Sequence, residues 1–185
     1  ILEALRNFRL ERDPELAFRE SCGLGKCGSC AVLKDGSPVL ACQTQLEEGE
    51  NRIEPLFHFP VIKDLVVDRS PSLERLERSR SFFARPDHLK PDESYDWERS
   101  YRRLTECIEC MICDSSCPSL GRSDSEFLGP LTYGWMARGR THPLDRGGEE
   151  VTAWIDGIHN CTACMTCVQV CPKSLDVFRN GVMDL

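Results

Sequence analysis

The sequence contains no run of roughly 18 apolar residues and no secretory-type hydrophobic segment, so it carries no membrane-spanning helix of its own. Basic residues are in deficit, 23 against 30 acidic ones, and a formal charge of −7 argues against nucleic acid as a partner. Thiolates bound to metal would make the molecule more negative still. Histidine is scarce: His58, His88, His142 and His159 are the whole supply, and none forms the Cys-x-His pairing of a Rieske centre. They are read as surface or packing residues, with His159 nearest a cysteine. There is no methionine at the start, and "LDVFRNGVMDL" breaks off within a helical pattern, so the chain reads as cut at both ends.

What is present in excess is cysteine, 12 among 185 residues. Disulfides, tetrahedral zinc and iron–sulfur clusters could each use so many thiols. Disulfide frameworks staple short secreted chains that lack a core, whereas 41% of this chain is hydrophobic and several segments have helical periodicity. Zinc needs paired Cys-x2-Cys units and gives no reason for a third cysteine at the same spacing or for a fourth before proline.

Two segments, "CIECMICDSSCP" and "CTACMTCVQVCP", repeat one pattern 54 positions apart. Cys107, Cys110, Cys113 and Cys117 before Pro118, and Cys161, Cys164, Cys167 and Cys171 before Pro172, each match C-x2-C-x2-C-x3-C-P. In that pattern three close cysteines wrap one cubane and the fourth completes the other. One cluster is therefore expected on Cys107, Cys110, Cys113 and Cys171, the second on Cys161, Cys164, Cys167 and Cys117. Nearer the start, Cys22, Cys27 and Cys30 have C-x4-C-x2-C spacing with Cys42 following, the plant-type [2Fe–2S] arrangement. Gly23, Gly25 and Gly28 let that loop fold tightly and aim N–H groups at sulfur. They also spell G-x-G-x-x-G, but no βαβ unit surrounds them, which removes a dinucleotide site.

The remaining pattern is mixed. "ILEALRNF" predicts a helix with Ile1, Leu2, Leu5 and Phe8 at helical spacing. Ala31 to Leu33 and Val39 to Ala41, around Lys34-Asp35-Gly36-Ser37, predict a hairpin, and "NRIEPL" a further strand. "PVIKDLVVDRSP" has no clean alternation and marks the domain junction; "SLERLERSRSFFA" follows as a helix whose charges at 74–80 read as a solvated face. "RPDHLKPDES" reads as a loop and Asp96 to Glu106 as a helix. "SDSEFLGPLTYGWMARG" is expected to be a helix capped by Ser123 and interrupted at Gly129-Pro130, with Tyr133, Trp135 and Met136 filling core; "GGEEVTAWIDGIHN" is another.

These residues resemble the iron–sulfur subunit of the succinate dehydrogenase and fumarate reductase family. "SCGLGKCGSCAVLKDGSPVLAC" is similar to its [2Fe–2S] loop and hairpin, "PVIKDLVVDRS" to its interdomain stretch, and "CIECMICDSSCPS" and "CTACMTCVQVCPKSL" to its two cluster segments. The resemblance implies an α+β chain: a β-grasp [2Fe–2S] ferredoxin-type domain over 1–59 whose first strands are missing, an interdomain stretch over 60–71, and an α-helical ferredoxin domain with two cubane-type clusters over 72–185. It implies electron relay between an FAD-containing flavoprotein subunit, which oxidises succinate or reduces fumarate in tricarboxylic acid cycle chemistry, and a membrane anchor or other terminal acceptor. The expected location is the cytoplasm, peripheral on the cytoplasmic membrane through partner subunits, and no carbon chemistry occurs on this chain.

Many quinone-linked members have an aliphatic residue at the position of Cys164 and hold a [3Fe–4S] cluster. The thiol supplied here implies a second [4Fe–4S] cluster, with [3Fe–4S] as the alternative if Cys164 does not ligate. Arg122 stands where those relatives place tryptophan and Thr162 where they place histidine, while Pro118 is retained. A different quinone, or thiol-linked chemistry as in the thiol:fumarate reductases of methanogens, is thereby implied at the terminal end. A ferredoxin-like module of a heterodisulfide reductase type complex is the alternative reading.

Overall fold

The computed structural model describes residues 1–79, 99–122, 126–142 and 149–185. Helix α1 (Leu2–Glu11) opens the chain. Ile1 and Leu2 are buried and Phe8 is half exposed, so the helix docks by its first turn. There the amino group of Ile1 donates to the Thr44 carbonyl at 2.8 Å and Leu2 N–H to the Ala41 carbonyl at 3.0 Å, anchoring the helix just beyond the hairpin.

Strands β1 (Ala31–Lys34) and β2 (Ser37–Leu40) form the expected hairpin. They are antiparallel from Ala31↔Leu40 to Lys34↔Ser37, and Asp35-Gly36 makes the two-residue turn with both φ angles positive, as right-twisted strands require. β3 (Ile53–Glu54) pairs on the other side of β1, giving the order β2-β1-β3. The stretch without alternation is a second, irregular hairpin, β4 (Val61–Lys63) with β5 (Val66–Val67). All of β4 is exposed, which explains why no buried stripe marks it.

Helix α2 (Ser70–Arg78) begins earlier than periodicity suggests because Pro71 is pre-organised for a first helical turn. α3 (Arg99–Leu104) is the described part of the helix expected over 96–106; the loop "RPDHLKPDES" and Ser123 lie outside the described residues. Short helices α4 (Ile112–Ser115) and α7 (Thr166–Gln169) follow the two later cysteine loops. At Gly129-Pro130 the expectation fails. This pair starts α5 (Pro130–Arg140), with Gly129 at φ 95° and Pro130 in the first turn, so it bounds a helix instead of interrupting one. α6 (Glu149–Ile155) is followed by left-handed Gly157, and Ile158–Asn160 form one 3₁₀ turn. The last segment is a π-turn over Phe178–Val182, not the expected helix broken off midway.

One apolar core runs from Leu2, Phe18, Val32, Leu33 and Leu40 to Met111, Ile112 and Leu131, and a second gathers Phe127, Leu128, Tyr133, Met136 and Ala153. Tyr133 and Met136 are fully buried, as expected of core residues, and the Tyr133 hydroxyl donates to the Asp156 carbonyl at 2.7 Å. Trp135 packs against the first core, with the Arg138 guanidinium 3.7 Å above its ring. Among the described residues no helix is long and apolar enough to cross a membrane.

Candidate metal centres

The first cysteine loop is shaped by Gly23, Gly25 and Gly28, all at φ 67°, a conformation that costs a side-chain-bearing residue about 1–2 kcal/mol. Folded this way, the loop directs backbone N–H groups at sulfur. Leu24 and Lys26 N–H donate to Cys22 Sγ at 3.3 Å each, and Gly25 N–H to Cys42 Sγ at 3.3 Å. The last bond joins the loop to the end of the hairpin, where Ala41 N–H also donates to the Cys30 carbonyl at 3.0 Å. The Ser29 hydroxyl donates to Cys27 Sγ at 3.2 Å and is the main reason that thiol falls to about 6. Burial instead pushes Cys30 up to about 11. A shared anionic centre would find donors already aimed at its sulfurs.

The two later cysteine loops repeat each other down to the backbone. Glu109 and Met111, on either side of Cys110, are left-handed at φ 53° and 63°; Ala163 and Met165, on either side of Cys164, are left-handed at 53° and 62°. A short helix follows each loop. Cys164 therefore occupies the same backbone setting as Cys110, differing in exposure: Cys110 is buried and Cys164 exposed.

Cys107, Cys110, Cys113 and Cys171 line one pocket with Ile108, Met111 and Leu175. Cys117, Cys161, Cys164 and Cys167 line another with Phe127, Thr162 and Val182. In the first pocket burial drives Cys107 upward, Cys110 to about 12 and Cys113 well above its usual value, with neighbouring cysteines and, at Cys113, Asp114 adding to the effect. Cys167 is likewise pushed to about 12 by burial and by Cys117, Cys161 and Cys164. At Cys164 burial acts upward, but hydrogen bonds from Thr166 and Thr162 outweigh it and the net direction is down. Thr166 Oγ1 donates to Cys164 Sγ at 3.3 Å and Ala163 N–H to Cys161 Sγ at 3.4 Å.

The donor sets suit iron–sulfur clusters on chemical grounds. Four thiols line each apolar pocket, and the burial that raises Cys110, Cys113, Cys117 and Cys167 marks places where a cationic core would relieve mutual thiolate repulsion. All twelve cysteines are free of disulfides. Among the described residues no three His, Cys, Asp or Glu side chains gather as a single-ion site. His58 and His159 are exposed, His159 lying against Trp154 at 5.4 Å between ring centres, and His88 lies outside the described residues.

Sequence reasoning missed the polar network beneath the second loop. Asp114, following Cys113, is fully buried; its Oδ2 accepts from Ser72 Oγ at 2.8 Å and Arg75 Nη2 at 3.1 Å, and its Oδ1 from Leu131 N–H at 3.0 Å. Arg75 thus turns inward, correcting the expectation of a solvated charge run over 74–80. The adjacent Ser115 hydroxyl accepts from Phe57 N–H at 2.9 Å, tying the N-terminal region to the same loop. A carboxylate inside a cysteine-rich apolar segment, with an arginine four residues after the helix-starting Pro71, was the available signal.

Comparison with known proteins matches residues 1–74 to a 2Fe-2S iron-sulfur cluster binding domain and residues 103–175 to a 4Fe-4S dicluster domain. The chain is 37% identical to a component of the fumarate reductase (CoM/CoB) of Methanothermobacter marburgensis, over the whole chain and 37% of that protein. It is 35% identical to the fumarate reductase iron-sulfur subunit of Mycobacterium tuberculosis, over 95% of the chain and 75% of that protein. It also superimposes on a chain of the Mycobacterium smegmatis Sdh1 complex in the apo form, with a TM-score of 0.91 at 30% identity, covering 99% of this chain and 81% of that one. The chain spans 37–38% of the length of the methanogen relatives it matches. Its α+β architecture, its three cysteine groups and these likenesses agree: the chain belongs to the iron–sulfur subunit family of succinate dehydrogenases and fumarate reductases.

Proposed function

We propose that the chain relays electrons between an FAD-containing flavoprotein subunit and a terminal carrier within a succinate- or fumarate-converting complex. The [2Fe–2S] cluster is assigned to Cys22, Cys27, Cys30 and Cys42, the first [4Fe–4S] cluster to Cys107, Cys110, Cys113 and Cys171, and the second to Cys117, Cys161, Cys164 and Cys167. When bound, these groups supply one-electron storage; the protein supplies thiolates, N–H donors to sulfur and water exclusion. Residues 1–59 are the [2Fe–2S] unit, 60–71 the junction and 72–185 the helical unit. The chain sits peripherally at the cytoplasmic face of a membrane through partner subunits.

The observation that carries the assignment is the lining of the two later pockets, each by three cysteines of one repeat and the last cysteine of the other. A four-iron centre at the second pocket rests on the backbone that Cys164 shares with Cys110. A thiol-linked terminal carrier is a second reading, favoured by Cys164 and by similarity to the CoM/CoB fumarate reductase component over the full chain.

Cys164→Ser tests the assignment. Under anaerobic reconstitution the variant is expected to lose about one iron per chain and to gain the electron paramagnetic resonance signal of an oxidised three-iron centre. An unchanged spectrum removes Cys164 from the ligand set.

A further inference from the structure

Arg69 lies at the seam between the first two cysteine loops. It is the N-cap residue of α2, and its Nη2 donates to two consecutive carbonyls of the first loop, Gly28 at 3.2 Å and Ser29 at 3.0 Å. On its other side that segment meets the second loop: a Cβ on Gly28 would overlap the Ile108 carbonyl oxygen and stand 2.9 Å from Cys110 Cα. The guanidinium is thus pinned where two cysteine loops touch. Its Nε is buried and has no hydrogen-bond partner among the described residues, an arrangement a cation tolerates poorly unless negative charge is close. Burial and Arg19 disfavour the charged guanidinium, while Cys110, Cys27 and Cys30, drawn from both loops, favour it.

We infer that Arg69 is a positioning residue shared by the [2Fe–2S] and first [4Fe–4S] centres, a fixed positive charge that raises the reduction potential of both while holding their loops in register. The inference rests on the ligand sets proposed above. Adding an electron makes either centre more negative, so a nearby cation stabilises the reduced form. Arginine suits the task because it stays charged when partly buried, and one Nη2 of its planar fork donates to both carbonyls. A lysine would keep the charge and lose the fork. Because the guanidinium is hydrogen-bonded to the first loop where that loop packs against the second, its removal should move two centres together and leave the third, assigned to Cys117, Cys161, Cys164 and Cys167, unmoved.

The test is a redox titration of the anaerobically purified holoprotein, followed by electron paramagnetic resonance, for wild type, Arg69→Met and Arg69→Lys. In Arg69→Met the oxidised-to-reduced ratio at a fixed ambient potential should rise about tenfold for the [2Fe–2S] and first [4Fe–4S] centres, a downward shift of about 59 mV for a one-electron couple. Arg69→Lys should move both by less than half as much. If Arg69→Met fails to load clusters, Arg69→Gln, which keeps N–H donors for the Gly28 and Ser29 carbonyls, is measured in its place with the same expectation. Full iron content with both potentials unmoved in the neutral variant overturns the inference and leaves the ligand assignment intact. A wild type without these signals overturns the ligand assignment itself.

Discussion

Gly28→Ala is expected to lose both centres that meet at its position and to lower stability by about 2–5 kcal/mol, adding a left-handed residue's strain to the cost of overpacking. Gly28 is at φ 67°, and its missing side chain makes room for the Ile108 carbonyl oxygen and for Cys110 Cα and N, at 2.9 and 3.0 Å from an added Cβ. All three neighbours are backbone, so no flexible side chain can swing aside. Gly23→Ala is the control. Gly23 has the same φ of 67° but open space around an added Cβ, so it should show only the conformational cost, about 1–2 kcal/mol, with clusters retained. Chemical denaturation with iron analysis separates the two; equal losses in both variants would mean that loop conformation, not the packing of one cysteine loop on the other, is what Gly28 supplies.

Asp114→Ala is expected to cost about 3–5 kcal/mol, the range for removing one partner of a buried ion pair. Ser72 Oγ and the Leu131 N–H at the start of α5 lose their acceptor, and Arg75 Nη2 loses its anionic partner while still donating to Ser72 Oγ. Arg75 already has a buried Nε without a hydrogen bond among the described residues, so the substitution leaves its guanidinium poorly compensated. The carboxylate joins α2, the second cysteine loop and α5, and its loss should loosen the pocket lined by Cys107, Cys110 and Cys113. At about 2–4 °C per kcal/mol for a chain of this size, the thermal midpoint should fall by roughly 10 °C. In a double-mutant cycle, Asp114→Ala with Arg75→Ala should cost less than the sum of the singles, since the double variant removes the stranded charge. Additive costs would show that the pair contributes through separate contacts.

Cysteine chemistry was legible without coordinates because a cluster's ligands must recur at spacings the chain can wrap, and those spacings are written in one dimension. The β1–β2 hairpin was legible for a similar reason: Asp35-Gly36 supplies the two positive φ angles that its turn demands. What escaped depended on partners distant along the chain. Asp114 meets Ser72 and Arg75 across about forty residues, and nothing in the local run "SLERLERSR" separates Arg75, which turns inward, from Arg78, which stays exposed. Arg69 is similar, its role set by carbonyls of Gly28 and Ser29 about forty positions earlier. Gly129-Pro130 misled because the pair reads equally as a break and as a start; only the packing of Leu131 N–H on Asp114 decides between them. The π-turn over Phe178–Val182 escaped because its apolar spacing imitates an α-helix over so short a span.

The most direct measurement is the iron, sulfide and zinc content of the anaerobically purified protein, combined with electron paramagnetic resonance before and after dithionite. Roughly ten irons per chain, no stoichiometric zinc, and three distinguishable centres that accept electrons are the predicted result. A colourless, zinc-containing protein with no dithionite-dependent signal would contradict it.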